Sequence, residues 1–177
     1  MTSKEYSKIS EKNKKMDFKF NEVNSQLAEK ICAKYEYKKS ALIPLLDLAQ
    51  RQNNNWLSSD VIKYISYYID LPYIRVYEVA SFYTMFNLNP VGKYHIQVCG
   101  TTPCWLRGAE TVKKFFEKKL NVSCGDTTSD KLFTLSEVEC LGACTNAPVA
   151  QINDDYYENL DEDKIDKILR QCQNREI

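Results

Sequence analysis

Seven cysteines and one histidine carry most of the soft-metal and redox chemistry open to this chain. The cysteines stand at 32, 99, 104, 124, 140, 144 and 172, and the histidine is His95. Four thiols fall into two short-range pairs. Cys99 and Cys104 read C-x4-C, Cys140 and Cys144 read C-x3-C, and 35 residues separate the pairs. Two bridged irons need two thiolates each, and a short loop can deliver each pair. Gly100, Thr101, Thr102, Gly142 and Ala143 are small enough to let backbone N–H groups turn towards the sulfurs. Such donors offset the negative charge of a four-thiolate centre. Structural zinc also takes four cysteines and stays open as an alternative, although its usual pairs are C-x2-C. A thioredoxin-type C-x2-C dithiol is absent, as is the plant ferredoxin C-x4-C-x2-C run. A mixed site with two histidine ligands needs one histidine more than the chain has.

The other candidates have structural readings. Cys32 and Cys172 sit on helical stripes and pack as small hydrophobes. Cys124 lies in a polar loop and is the one spare thiol that could approach the four. His95 reads as a satisfied strand residue rather than a ligand. Trp105, beside Cys104, either shields the site from water or packs at a helix start. Pro148 is a candidate for a cis peptide bond. With five glycines in all, the chain has neither a G-x-G-x-x-G nor a P-loop, hence no nucleotide site of its own.

The positioning elements follow from periodicity. Tyr94, Ile96 and Val98 alternate with Lys93, His95 and Gln97 in a strand that ends at Cys99. Cys104 lies across GTTP before an amphipathic helix bearing Val112, Phe115, Phe116 and Leu120. A second strand over KLFTLSEVEC ends at Cys140, and Cys144 lies across LGA before the next strand. APVAQIND and YYENL form a hairpin around Asn153, Asp154 and Asp155. A last helix docks Ile165, Ile168 and Leu169 on the sheet. The order β-α-β-β-α predicts a small α/β sheet domain with loops converging at its strand ends.

Ahead of it, residues 23–89 read as a helical bundle and residues 1–22 as a polar, flexible tail; the sheet domain takes 90–177. Within the bundle, Leu27, Ile31 and Tyr35 mark one helix face. Ser40 is expected to cap the next helix, with Pro44 in its first turn. The run of Asn at 53–55 ends that helix, and Val61, Ile62, Ile65, Tyr68 and Ile69 stripe the third. After Pro72 a fourth helix is expected to turn Ile74, Val79, Phe82 and Phe86 inward.

Composition excludes several classes. Lys+Arg and Asp+Glu are 24 each, so bulk positive charge cannot drive nucleic-acid binding. Mean hydropathy is −0.48, and no apolar run nears the ~18 residues that span a bilayer. The Lys-rich start has no apolar core for export, which favours a reducing compartment and metal over disulfides.

SALIPLLDLAQRQNN, RVYEVASFYTMFNLNPVGKYHIQVCGTTPC and KLFTLSEVECLGACTNAPVAQINDDYYENL together resemble one family. It is the small thioredoxin-like [2Fe-2S] subunit of NADH:quinone oxidoreductase, respiratory complex I. The likeness runs over about residues 24 to 170. It implies an α+β or α/β chain, a helical bundle followed by a thioredoxin-like [2Fe-2S] ferredoxin domain. It implies one [2Fe-2S] cluster on Cys99, Cys104, Cys140 and Cys144, and no catalytic side chain. It further implies a partner subunit that binds NADH and FMN and links this chain to the rest of a peripheral arm. That arm is expected on the cytoplasmic side of a bacterial inner membrane, ahead of a mitochondrial matrix. Two alternatives remain at this stage: a diaphorase subunit of an NAD-linked hydrogenase or formate dehydrogenase, and a structural zinc scaffold.

Overall fold

A computed structural model describes residues 17–174. The chain divides into two compact units between Pro90 and Val91. The first sixteen residues of the expected tail lie outside the described residues. The rest of that tail is not loose: Phe18 and Phe20 are buried and meet Tyr64 edge-on, with centroids 5.4 and 5.2 Å away. Two aromatics two residues apart bury enough area to anchor a stretch whose flanks are polar.

The first unit holds α1 (Glu22–Cys32), a 3-10 turn (Lys38–Ala41), α2 (Leu42–Gln52), α3 (Ser59–Ile69) and α4 (Tyr73–Phe82). Asn21 and Ser58 cap α1 and α3, each accepting a backbone N–H from three residues on. Ser40 does not cap α2. The 3-10 turn runs into the helix there, and Ala41 occupies the cap position without a side-chain bond. Asn54 and Asn55, both at positive φ, close α2, as the Asn run suggests. The stripe on α3 is buried as expected, with Tyr68 partly covered.

Two faces differ from expectation. On α1 the packed positions are Ala28, Ile31 and Cys32, which leaves Leu27 and Tyr35 exposed. The small Ala28, with 0% exposure, lets this helix approach its neighbours closely. On α4 the buried pair is Val76 and Ala80, one helical turn apart, with Val79 beside it. Ile74 is two residues from Val76 and Phe82 two from Ala80, which rotates both to the outer side, where they are exposed. Phe86, past the helix end, is buried.

The second unit runs β1 (Tyr94–Cys99), a short α5 (Thr102–Leu106), α6 (Ala109–Leu120), β2 (Phe133–Val138), a 3-10 turn (Cys144–Asn146), β3 (Ala150–Ile152), β4 (Asp155–Tyr157) and α7 (Glu162–Asn174). The sheet order is β2-β1-β3-β4. β1 pairs parallel with β2, from Tyr94 opposite Phe133 to Cys99 opposite Val138, and antiparallel with β3. The crossover through α6 makes the parallel pair possible. Tyr94, Ile96, Val98, Phe133 and Leu135 share one core with Val112 and Phe116 of α6 and Ile165, Ile168 and Leu169 of α7. His95 points to the other face and is also buried; its Nε2 lies 2.9 Å from Ser136 Oγ. It is a satisfied core residue, as its strand position suggests. Asn153, at φ 54, makes the β3–β4 turn. Its amide accepts the His95 N–H and donates to the Lys93 carbonyl.

Candidate metal centre

β1 and β2 run parallel, so their C-terminal ends lie side by side. Each is followed by one cysteine-bearing loop. Cys99 is the last residue of β1, and its N–H donates to the Val149 carbonyl. Gly100 N–H donates to the Val138 carbonyl at 2.9 Å, tying the first loop to the end of β2. Cys104 does not sit in an open loop. It lies in α5, where Pro103 is the second residue of the single turn and the thiol is buried. Proline in a first turn gives up no bonded N–H, which lets so short a helix form. Cys140 lies two residues beyond the end of β2, and Cys144 opens the following 3-10 turn; both are exposed. The Ala147–Pro148 peptide is cis, as its sequence position allows.

The four sulfurs come together as two pairs. The Cys104 thiol bears on the ionisation of Cys99, and the Cys140 thiol on that of Cys144. Across the pairs, Cys144 interacts electrostatically with Cys99 and with Cys104. Among the described residues, no three His, Cys, Asp or Glu side chains converge on a single metal ion. Two thiols from each loop supply the two-plus-two ligand number that a binuclear centre takes.

Backbone and side-chain donors aim at these sulfurs. Burial alone raises the Cys99 thiol. The Thr101 hydroxyl at 3.3 Å, the N–H groups of Leu141 and Thr101, and the Cys104 thiol outweigh it, so Cys99 is held below its ordinary value. Burial pushes Cys104 up to about 11, helped by its bond to Cys99 and opposed by the Val149 N–H. Cys144 is also raised, by burial first and then by Cys140. Gly142 N–H donates to Cys140 Sγ at 3.3 Å. Gly142 sits at φ 80, where a side chain would be strained, and this lets the C-x3-C loop fold back on its own sulfur. Four thiols with N–H donors pointed at them form a donor set that fits an iron–sulfur group, whose sulfurs carry negative charge.

One charged group stands close by. Glu137 Oε2 is 2.7 Å from Lys113 Nζ, which also reaches Glu110 Oε2 at 2.9 Å. These two carboxylates, Glu137 first, hold the Lys113 ammonium well above its ordinary range. The Glu137 side chain covers Gly100 so closely that a Cβ there would collide with it. With Cys99, Trp105 and Ala109, these residues line a small cleft. Trp105 is 61% exposed and Leu106 70%, so at Trp105 neither of the two expected roles holds fully: the ring borders the cleft but does not seal it. Cys124 stays apart from the four thiols, among Lys113, Glu137 and Glu117. Cys32 and Cys172 pack against the two cores. The Lys113–Glu137 pair, 24 residues apart, has no local sequence signal. Thr101 has one, its place beside Cys99.

The thioredoxin-like [2Fe-2S] ferredoxin family model matches residues 28–173. The E subunit of the NADH-quinone oxidoreductase of Rickettsia prowazekii is 60% identical over 159 residues, 89% of this chain and 90% of that protein. This chain belongs to the NADH-quinone oxidoreductase E-subunit family of thioredoxin-like [2Fe-2S] ferredoxins. The corresponding protein of Rickettsia conorii is 61% identical, covering 89% of this chain and 96% of its own length. Mitochondrial NADH dehydrogenase [ubiquinone] flavoprotein 2 of Dictyostelium discoideum is 48% identical over 92% of this chain and 66% of that protein. Among solved structures, an air-oxidized NAD+-reducing [NiFe]-hydrogenase matches with TM-score 0.65 at 24% identity, over 73% of this chain. This chain spans 23% of that hydrogenase chain, and at such identity the likeness is one of fold. The expected α+β architecture and family membership both hold. Among the described residues no helix is long and apolar enough to cross a membrane.

Proposed function

We propose that this chain holds one [2Fe-2S] cluster on the thiolates of Cys99, Cys104, Cys140 and Cys144 and acts as the electron-carrier subunit of an NADH:quinone oxidoreductase. The observation that carries the reading is the pairing of four thiols from two loops at adjacent parallel strand ends, with N–H donors aimed at three of the sulfurs. When bound, such a cluster supplies storage of a single electron. The chain's own residues do the rest. Burial of Cys99 and Cys104 keeps water from one side of the site. Thr101, Leu141, Gly142 and Val149 donate hydrogen bonds that favour thiolates. No side chain here has to move a proton, which suits a chain whose one histidine is locked to Ser136.

In this reading NADH and FMN belong to a neighbouring subunit, and this chain exchanges electrons with that FMN. It then sits in a peripheral arm on the cytoplasmic side of a bacterial inner membrane. Identity near 60% over nine-tenths of the chain favours a quinone-linked complex over a hydrogenase diaphorase, where the likeness is of fold.

The test is metal and sulfide analysis with EPR on anaerobically purified, dithionite-reduced protein. About two irons and two sulfides per chain with an S = 1/2 signal are expected. Cys→Ser changes at 99, 104, 140 and 144 should each alter or abolish the signal, while Cys124→Ser should not. One zinc without sulfide would refute the reading.

A further inference from the structure

β4 carries a side chain that reaches back to the second cysteine loop. The Tyr156 hydroxyl donates to the Leu141 carbonyl at 3.0 Å. That carbonyl belongs to the same peptide group as the Gly142 N–H, which donates to Cys140 Sγ at 3.3 Å. A trans peptide is rigid and planar, with its C=O and N–H pointing in opposite directions. Holding one end therefore aims the other. This peptide needs an outside hold, because Gly142, at φ 80, has no Cβ to resist rotation of the plane. Cys140 is exposed, so without this N–H its sulfur would turn to water for donors.

We propose that Tyr156 is a positioning residue for the cluster site: it fixes the Leu141–Gly142 peptide so that the Gly142 N–H donates to Cys140 Sγ. The proposal rests on the cluster assignment above. Reduction adds negative charge to the sulfurs, so a held N–H stabilises the reduced form more than the oxidised form. Accepting a bond at its oxygen also polarises the peptide and strengthens its N–H as a donor.

The test uses the full chain and the variant Tyr156→Phe, which removes the hydroxyl and keeps the ring. Gln151→Ala is the control. Gln151 pairs with Tyr156 across the hairpin and makes no bond to the loop peptide. In an EPR-monitored redox titration, Tyr156→Phe should lower the ratio of reduced to oxidised cluster at a fixed potential by a factor of up to roughly five, the full worth of one hydrogen bond being the ceiling. Its reduced-state EPR should also lose an exchangeable-proton coupling. Gln151→Ala should change neither. A second readout needs no cluster: the Gly142 amide of the unloaded chain should exchange roughly fivefold faster in Tyr156→Phe than in wild type or Gln151→Ala. Wild-type potential in fully loaded Tyr156→Phe, or unchanged Gly142 exchange, would overturn the proposal. Absence of iron and sulfide from the wild-type chain would instead refute the cluster assignment, whatever the Gly142 exchange shows.

Discussion

Loading the site should stabilise the sheet unit and leave the helical unit alone, and the size of the effect follows from the chain's connectivity. Cys104 and Cys140 are separated by 35 residues, which include the whole of α6 and β2. A group that stayed bound to both pairs would close that loop in the unfolded chain as well as the folded one. In the chain-entropy treatment of cross-links, a loop of this length lowers the freedom of the unfolded state by an amount worth about 4 kcal/mol. For a unit of this size that corresponds to a rise in Tm of roughly 15–30 °C. The assay is hydrogen exchange on loaded and unloaded full-length protein. Amides of Ile96 and Val98 in β1, bonded on both sides within the sheet, should slow by roughly a thousandfold on loading. Amides of Leu45 and Ile65, in the separate core of the first unit, should not change. Equal β1 exchange in the two forms would refute the loop-closure reasoning. Equal slowing of both units would also refute it, since closure acts only on the unit that contains the loop.

Burial holds the His95 imidazole below its ordinary value of 6.5, so the unfolded chain takes up this proton at a higher pH than the folded chain does. Stability of the sheet unit is therefore complete above about pH 6.5 and falls as pH drops through the folded-state value. Urea midpoints between pH 7.5 and 5 should show this extra slope in wild type and lose it in His95→Asn; identical slopes would count against it. Phe116, fully buried between α6 and the sheet, should cost about 3–5 kcal/mol on change to Ala, read as a shift in the denaturant midpoint of the second unit. Gly100→Ala would push the flexible Glu137 side chain off Lys113. The loss should stay under about 1 kcal/mol, because Glu137 is half exposed and such pairs are weak. Iron content should be unchanged, and a loss of several kcal/mol would mean the backbone rather than the side chain gives way.

Much of the sheet unit is legible in the sequence because its signals are local. The alternation at 94–99, the helical spacing around Phe116 and the two cysteine pairs need nothing beyond a few neighbouring residues. Elsewhere tertiary packing chooses between rival local patterns. In α1 the stripe through Ala28, Ile31 and Cys32 competes with one through Leu27 and Ile31 whose next member, Tyr35, falls past the helix end, and close helix approach selects the stripe with the small residue. In α4 the larger side chains, Ile74 and Phe82, suggest an inward face, yet Val76 and Ala80 take it. Phe18 and Phe20 hide in a polar stretch, where composition points to a loose tail. Contacts such as Tyr156 to Leu141 and Lys113 to Glu137 join residues whose neighbourhood exists only once the strands have paired. Cys104 reads as a loop residue because a five-residue helix is too short to show a period.

The unequal exposure of the two thiol pairs gives the unloaded protein a built-in order of ageing. Cys140 and Cys144 face solvent, while Cys99 and Cys104 are 2% and 1% exposed. Air or an alkylating reagent meets the outer pair first, and the inner pair stays intact as long as the unit stays folded. A stored sample would thus lose its capacity to be loaded well before it lost its fold. A thiol count on the denatured chain, which includes the protected inner pair, would overstate how much of the site survives. Reconstitution is best judged by the two outer sulfurs alone; a reductant that reaches the surface restores them after disulfide or sulfenic-acid formation but not after alkylation.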